Sequence, residues 1–297
     1  MQWRQFIIDV GSYDPDVLEA VFVDHGAYSV TLTDAGDQPV LEPGPGETPL
    51  WQDTRMAALF AAETDLDAVA EDLRRTLAVD ALPRHRIDTL TDRAWEREWL
   101  KDAVPMRFGD RLWVCPGESK APPGAAVVRL DPGLAFGTGT HATTALVLEW
   151  LERLDLHGRT LLDYGCGSGV LAIAALTLGC RRATAMDIDA QAVTATRANA
   201  AANGVLDRLE VVGDDASIVG TFDVLVANIL AEPLVTLAES LSLRLSSGGE
   251  LALSGILSGQ VNKIRLAYRR WIDFDAPVFR SQGDQTWALL SGRRRDV

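Results

Sequence analysis

The sequence predicts an α/β fold in which a doubly wound, mostly parallel sheet follows a small α+β sandwich. Three observations predict it. Strand-like and helix-like segments alternate from residue 140 onward, the pattern of a parallel sheet with helices on both faces. A glycine-rich turn, Gly165-Cys166-Gly167-Ser168-Gly169, falls between a strand and a helix of that region. The first third has a different order, β-α-β-β-α-β. The length agrees, because 297 residues make about two domains of roughly 150 residues each.

Residues 3–10, with Phe6, Ile7, Ile8 and Val10, form the first strand. Residues 15–25 set Val17, Leu18, Val21 and Phe22 at helical spacing. Asp14 is positioned to cap that helix ahead of Pro15, and Gly26 stops it. Residues 28–33 alternate as a strand does, and residues 42–47 are a Pro- and Gly-rich loop. Residues 55–62 make the third strand, although their alanines suit a helix as well. Leu66, Val69, Leu73 and Leu77 share one face of a helix over residues 66–77, and residues 84–90 close the set as a strand. This order suits a ferredoxin-like sandwich over residues 1–91.

Residues 92–108 read as an interdomain linker helix, with Asp92 as cap and Trp95 and Trp99 as a packed stripe. The second domain then spans residues 109–297, opening with strands at 111–115 and 126–130. A helix over 140–154 leads into strand 160–164, the glycine turn and helix 170–178. Strand 183–187, helix 190–203 and strands 209–212 and 222–227 follow. Helix 232–245, strand 250–254, helix 260–268 and a hairpin of residues 276–280 and 286–291 complete a Rossmann-like sheet. In such a sheet ligands bind outside the carboxyl ends of the strands.

The charge is unevenly divided. Residues 1–91 hold 17 acids and 6 bases, net −11; residues 92–297 hold 25 acids and 22 bases, net −3. A total of −14 opposes long-range attraction to nucleic acid. The composition, 47% hydrophobic and 24% charged, excludes a disordered or collagen-like chain. Cys115, Cys166 and Cys180 lie far apart at no metal-ligand spacing, so no metal site is expected and a reducing, cytoplasmic setting fits. The start of the chain lacks the pattern of a signal peptide, and no apolar run approaches the ~20 residues that span a bilayer.

Four segments carry chemistry. Asp163 stands two residues before Gly165, in a G-x-G-x-G spacing that resembles the turn of S-adenosylmethionine-dependent methyltransferases. Glycines there let the backbone turn tightly and approach a ligand, and an acid answers a cationic one. A turn used only for strand–helix packing is the alternative. Asp187 ends the second strand of the large domain, where a carboxylate accepts hydrogen bonds from ribose hydroxyls; Asp189 beside it is placed to cap the next helix. Asp214 and Asp215 follow the third strand, as solvated loop acids or as ligand contacts. Asn228, ending the fourth strand, can accept a hydrogen bond from an amine and aim its lone pair; a helix cap is its alternative. Residues 131–144 form a Gly- and Thr-rich loop suited to a lid, and His141 within it reads first as a helix-start hydrogen bonder.

These segments resemble the PrmA family, which methylates protein eleven of the large ribosomal subunit. DPGLAFGTGTHATT, LLDYGCGSGVLAIAAL, MDID and ANIL carry the resemblance in order, with PGETPLW, DRAWEREWL and PMRFGDRLWVCP beside them. The resemblance implies a ferredoxin-like substrate-recognition domain, a linker and a class I S-adenosylmethionine methyltransferase domain. It implies trimethylation of lysine side chains and of the N-terminal amine of that ribosomal protein, and the acidic first domain suits docking of a basic substrate that is free before assembly. Direct nucleic-acid or membrane partners are not expected, and a monomer is. Carried over by motif, the cofactor contacts are Thr144, Gly165, Gly167, Asp187 and Asn228, with Asn228 also catalytic. Ala142 and Ala190 stand where the family commonly has Pro, each near a helix start. The alternatives are methylation of another protein, a nucleic acid base or a small molecule on the same fold. No aromatic follows Asn228 to stack on a flipped base.

Overall fold

The computed structural model describes residues 2–36, 51, 53–91, 104–117, 119–130 and 141–296. The loop at 42–47, the capped tryptophan stripe of 92–103 and the lid portion 131–140 lie outside these residues. The chain divides into two compact units, Met1–Ala94 and Trp95–Val297.

In the first unit the elements are β1 (Gln2–Asp9), α1 (Pro15–Asp24), β2 (Ser29–Asp34), β3 (Thr54–Ala61), α2 (Leu66–Leu77) and β4 (His85–Thr91). They build an antiparallel sheet of order β2-β3-β1-β4. Period-two alternation decides its faces: Phe6, Ile8 and Val10 of the β1 segment join Met56, Ala58 and Phe60 of β3 in the core. The helices close that face with Leu18, Val21 and Phe22 and with Leu66, Val69 and Leu73. Asp14 accepts from the Asp16 N–H at 3.0 Å, and Asp65 caps α2 in the same way. The alanines of β3 pair with β1 because every second residue there is buried, a strand period that outweighs their helical propensity.

The second unit begins with a small sheet of β5 (Met106–Phe108), β6 (Leu112–Pro116) and β7 (Ala126–Leu130). Met106–Phe108 falls at the end of the segment read as linker; it is a strand because it pairs antiparallel with β6 and buries Phe108. The main elements are α3 (Ala142–Arg153), β8 (Thr160–Tyr164), α4 (Val170–Thr177), β9 (Arg182–Met186), α5 (Ala190–Ala202), β10 (Leu209–Val212) and β11 (Phe222–Asn228). Then come α6 (Ala231–Thr236), α7 (Ala238–Leu243), β12 (Leu245–Leu257), α8 (Val261–Tyr268), β13 (Ile272–Phe274), β14 (Val278–Gln282) and β15 (Gln285–Arg294). The sheet runs β10-β9-β8-β11-β12-β15-β13, with β14 on β15. β8 to β12 are parallel and β15 is antiparallel to its neighbours. One apolar cluster lies under α3, α4 and the small sheet, and another under α6, α7 and α8. The helix expected over 232–245 is two short helices that meet at Leu237. No helix among the described residues is long and apolar enough to cross a membrane.

Order in the main sheet reverses between β8 and β11, on either side of which the chain leaves in opposite directions. That reversal opens a crevice at the carboxyl ends of β8, β9 and β11.

Candidate active site

The glycine turn begins where β8 ends. Gly165, Gly167 and Gly169 have φ of 77°, 53° and 77°, the left-handed region that only glycine enters freely. A Cβ on Gly165 would run into the Ile229 side chain after β11, so this position needs glycine for space as well. The N–H groups of Gly165 and Cys166 donate to the Met186 carbonyl of β9 at 2.8 and 3.0 Å. The turn is therefore stitched to the neighbouring strand end.

Two acids meet the turn. The Asp187 carboxylate accepts from the Gly167 N–H at 2.9 Å and from the Asp189 N–H at 3.0 Å. Asp189 caps α5 through the Gln191 N–H at 2.8 Å. The cap and the strand-end acid are thus different residues. Asp163 is fully buried on β8 and accepts from the Ala172 N–H at 3.1 Å through one oxygen. Its other oxygen is buried with no hydrogen-bond partner. Burial, reinforced by the charge of Asp187 and opposed by the Ala172 hydrogen bond, pushes its pKa up to about 7.

Across the sheet reversal, the Asn228 Nδ2 donates to the Thr144 Oγ1 at 3.2 Å. Asn228 does not cap the following helix: Leu230 is at the cap position of α6, with no side-chain bond. The Asn228 Oδ1 has no partner among the described residues. The structure thus brings Gly165, Gly167 and Asp187 together, and separately Thr144 and Asn228. The pairing of β8 with β11, Tyr164 opposite Ala227, sets the two groups on adjacent strand ends.

His141 caps α3, its Nδ1 taking the Thr143 N–H at 3.4 Å, and burial lowers its pKa. Asp214 caps a short 3-10 turn through Ser217, and Asp215 pairs with Arg244 at 2.9 Å. Cys115, Cys166 and Cys180 are buried and free.

Sequence reading missed the support beneath the turn. On α5, Thr196 Oγ1 donates to the Gly167 carbonyl at 2.9 Å, and Asn199 Nδ2 donates to the Ser168 carbonyl at 2.9 Å. Both are buried, three residues apart on one helix face. Two polar residues on the inner face of an alanine-rich helix were the available signal.

These residues fit S-adenosylmethionine. Left-handed glycines let the backbone approach a ligand closely. Asp187 lies at the strand end where a ribose is held, and the unpartnered Asp163 oxygen suits a ligand carrying positive charge. Fold and site together define a class I S-adenosylmethionine-dependent methyltransferase. The sequence pattern of the family described as "Ribosomal protein L11 methyltransferase (PrmA)" matches residues 2–295. A ribosomal protein L11 methyltransferase of Nitrosococcus oceani is 47% identical over 296 residues, covering 99% of this chain and 100% of that protein. One of Shewanella sp. strain ANA-3 is 46% identical over 297 residues, with the same coverage. The crystal structure of ribosomal protein L11 methylase from Lactobacillus delbrueckii subsp. bulgaricus superimposes with a TM-score of 0.59 at 34% identity, covering 65% of this chain and 100% of that one. The chain belongs to the ribosomal protein L11 methyltransferase family.

Proposed function

We propose that the chain transfers methyl groups from S-adenosylmethionine to lysine side-chain and N-terminal amines of ribosomal protein L11, trimethylating them. In this reading it works as a cytoplasmic monomer on L11 that has not yet entered the ribosome. The observation that carries the reading is the pairing of Asn228 with Thr144 at the end of β11.

When bound, S-adenosylmethionine supplies a methyl group on a sulfonium that leaves as a neutral thioether. The protein's part is to hold and to aim. Gly165, Gly167 and Asp187 hold the donor, and Asp163 answers its positive charge. Thr144 takes the amide N–H of Asn228, which turns Oδ1 of Asn228 toward an incoming amine. In the first two transfers Oδ1 accepts an N–H of that amine and directs the nitrogen lone pair; the neutral dimethylamine of the third has no N–H to give. The amine must be neutral to attack, and a free lysine has a pKa of about 10.4. Removal from water beside a positive charge lowers that value, so the site itself favours loss of the proton to water before the amine is enclosed.

The first unit serves as the substrate-recognition domain. Its net charge of −11 complements a basic ribosomal protein. The residues after Asn228, Ile229 and Leu230, offer no ring for stacking on an extruded base, which favours a protein over a nucleic acid substrate. The test supplies methyl-labelled donor together with purified L11, with ribosomal RNA and with a cell lysate in turn. Label on lysine and N-terminal amines of L11 supports the reading. Labelled RNA, or no label on any protein, refutes it.

A further inference from the structure

One long-range contact beside this site has no role in the reaction so far described. The Oε1 of Gln282 accepts a hydrogen bond from the main-chain N–H of Ala142 at 2.6 Å, across 140 residues of sequence. Ala142 is the first residue of α3, and its N–H is one of the four at a helix start that find no partner within the helix. Two residues further along the same turn stands Thr144, whose hydroxyl holds the Asn228 amide.

Gln282 is delivered by a stiff element. It ends β14, and Gly283-Asp284 form a two-residue loop into β15. Gly283 has φ of 58°, the left-handed first position that a type II′ hairpin turn requires. Below the loop, Gln282 pairs with Gln285 and Ser281 with Thr286 in register. Arg280, two residues back and on the same side of β14, clasps both oxygens of Glu149 at 2.7 and 2.8 Å. Ala142 and Glu149 lie about 10 Å apart along α3. The strand therefore grips the helix at two points along its axis. From β15, Trp287 sets its ring edge-on to His141 with centroids 4.8 Å apart. Rotation and axial position of the first turn of α3 are fixed by this hairpin.

We propose that Gln282 is a positioning residue for methyl transfer, holding the first turn of α3 so that Thr144 stays in register with Asn228. The proposal rests on the roles assigned above to Thr144 and Asn228. Without the Gln282 acceptor the Ala142 N–H loses its partner, the turn is released, and Thr144 moves with it. Asn228 then loses the bond that keeps its Oδ1 facing the amine.

The test compares Gln282→Met, which keeps length but removes the acceptor, with Gln282→Glu, which keeps an acceptor and adds charge favoured at a helix start. Gln282→Ser withdraws the acceptor without adding apolar surface and stands in if the Met variant folds poorly. Each is made in the full chain, alone and combined with Thr144→Val, and assayed for L11 methylation, donor affinity and Tm. Gln282→Met is expected to lower kcat about tenfold with a smaller change in donor affinity, and Gln282→Glu to restore it. The Gln282→Met/Thr144→Val pair is expected to be no worse than Thr144→Val alone, because the first acts through the second. A wild-type kcat in Gln282→Met, a loss additive with Thr144→Val, or an equal loss in Gln282→Glu overturns the proposal. Unchanged kcat in Thr144→Val and Asn228→Ala instead refutes the underlying site assignment, and the proposal with it.

Discussion

The Asn228 amide and the Thr144 hydroxyl meet at 3.2 Å although 84 residues separate them in the chain. The contact joins the first turn of α3 to the carboxyl end of β11. A primary amide has two ends that differ only in chemistry, and here the N–H end faces the Thr144 hydroxyl. With the N–H group committed to Thr144, the carbonyl oxygen has no partner among the described residues.

If Asn228 aims the nucleophile as proposed, Asn228→Ala is expected to lower kcat by about 100-fold while donor affinity changes less than tenfold. Initial rates with L11 and calorimetric titration of S-adenosylmethionine separate the two effects. Equal loss of both, or loss of neither, removes Asn228 from the aiming role.

Much of this site was open to sequence reading, and the limits have physical causes. Gly165 and Gly167 announce themselves because a left-handed turn between strand and helix needs glycine. Asp187 follows from its strand end, and Asp189 from its position before a helix. The Thr144–Asn228 bond has no periodicity to betray it, since tertiary folding alone brings the two together. Thr196 and Asn199 look like ordinary polar residues until α5 is laid on the turn. In the fold, β13 was missed because three residues are too short for an alternation to register. Strand 250–254 proved to run from Leu245 to Leu257, with a register shift between Leu253 and Ile256 that encloses Gly255. Gly255 has φ of 81°, a conformation that let the strand continue where sequence reading ended it.

Gly165 and Gly255 press on Ile229 from two sides, and they predict different rescue. A Cβ on Gly165 would meet the Ile229 side chain, whereas a Cβ on Gly255 would meet the Ile229 main chain. Both Ala variants carry the cost of a left-handed conformation, about 1–2 kcal/mol. Ile229→Ala is expected to recover part of the Tm and of the donor affinity lost in Gly165→Ala, because it clears the clash. It is expected to recover none in Gly255→Ala. Thermal denaturation of the four variants checks this, and equal rescue of both glycines contradicts the geometry.

Asp163 gives the enzyme a pH dependence of known sign. Burial raises its pKa from the 3.8 of an ordinary aspartate to about 7 in the folded chain. The folded state therefore binds this proton more tightly than the unfolded state. The resulting stabilisation is complete below the unfolded value and is lost as pH rises through about 7. Asp163→Asn is expected to flatten that fall, measured as Tm against pH. A cationic donor favours the carboxylate, so binding below pH 7 is expected to release a proton from Asp163. Calorimetry in two buffers of different ionisation enthalpy reads that release directly. Donor affinity is expected to rise with pH and level off above the Asp163 value. No proton release near pH 6 overturns this account.

The acidic first unit predicts how salt acts on the enzyme. Its surface is not uniformly acidic: three of the 6 bases in residues 1–91, Arg55, Arg84 and Arg86, line two adjoining concavities of about 160 and 210 Å³ at one end of the sheet. The helices carry mostly acids, with Asp14, Asp16 and Glu19 at the start of α1 and Asp65 and Asp67 at the start of α2, while Arg74 and Arg75 of α2 pair with Glu71 and Asp72. Asp16, Glu19 and Asp67 are exposed and form no ion pair among the described residues. Attraction of a basic protein to such a face is screened as the Debye length shrinks from about 10 Å at 0.1 M salt. Raising salt from 50 to 500 mM is expected to increase the KM for L11 several-fold, chiefly through slower association, and to leave the KM for the donor little changed. Neutralising Asp16, Glu19 and Asp67 together is expected to reduce that salt dependence without altering kcat at saturating L11. A KM for L11 that ignores salt would show that the −11 of this unit serves solubility rather than docking.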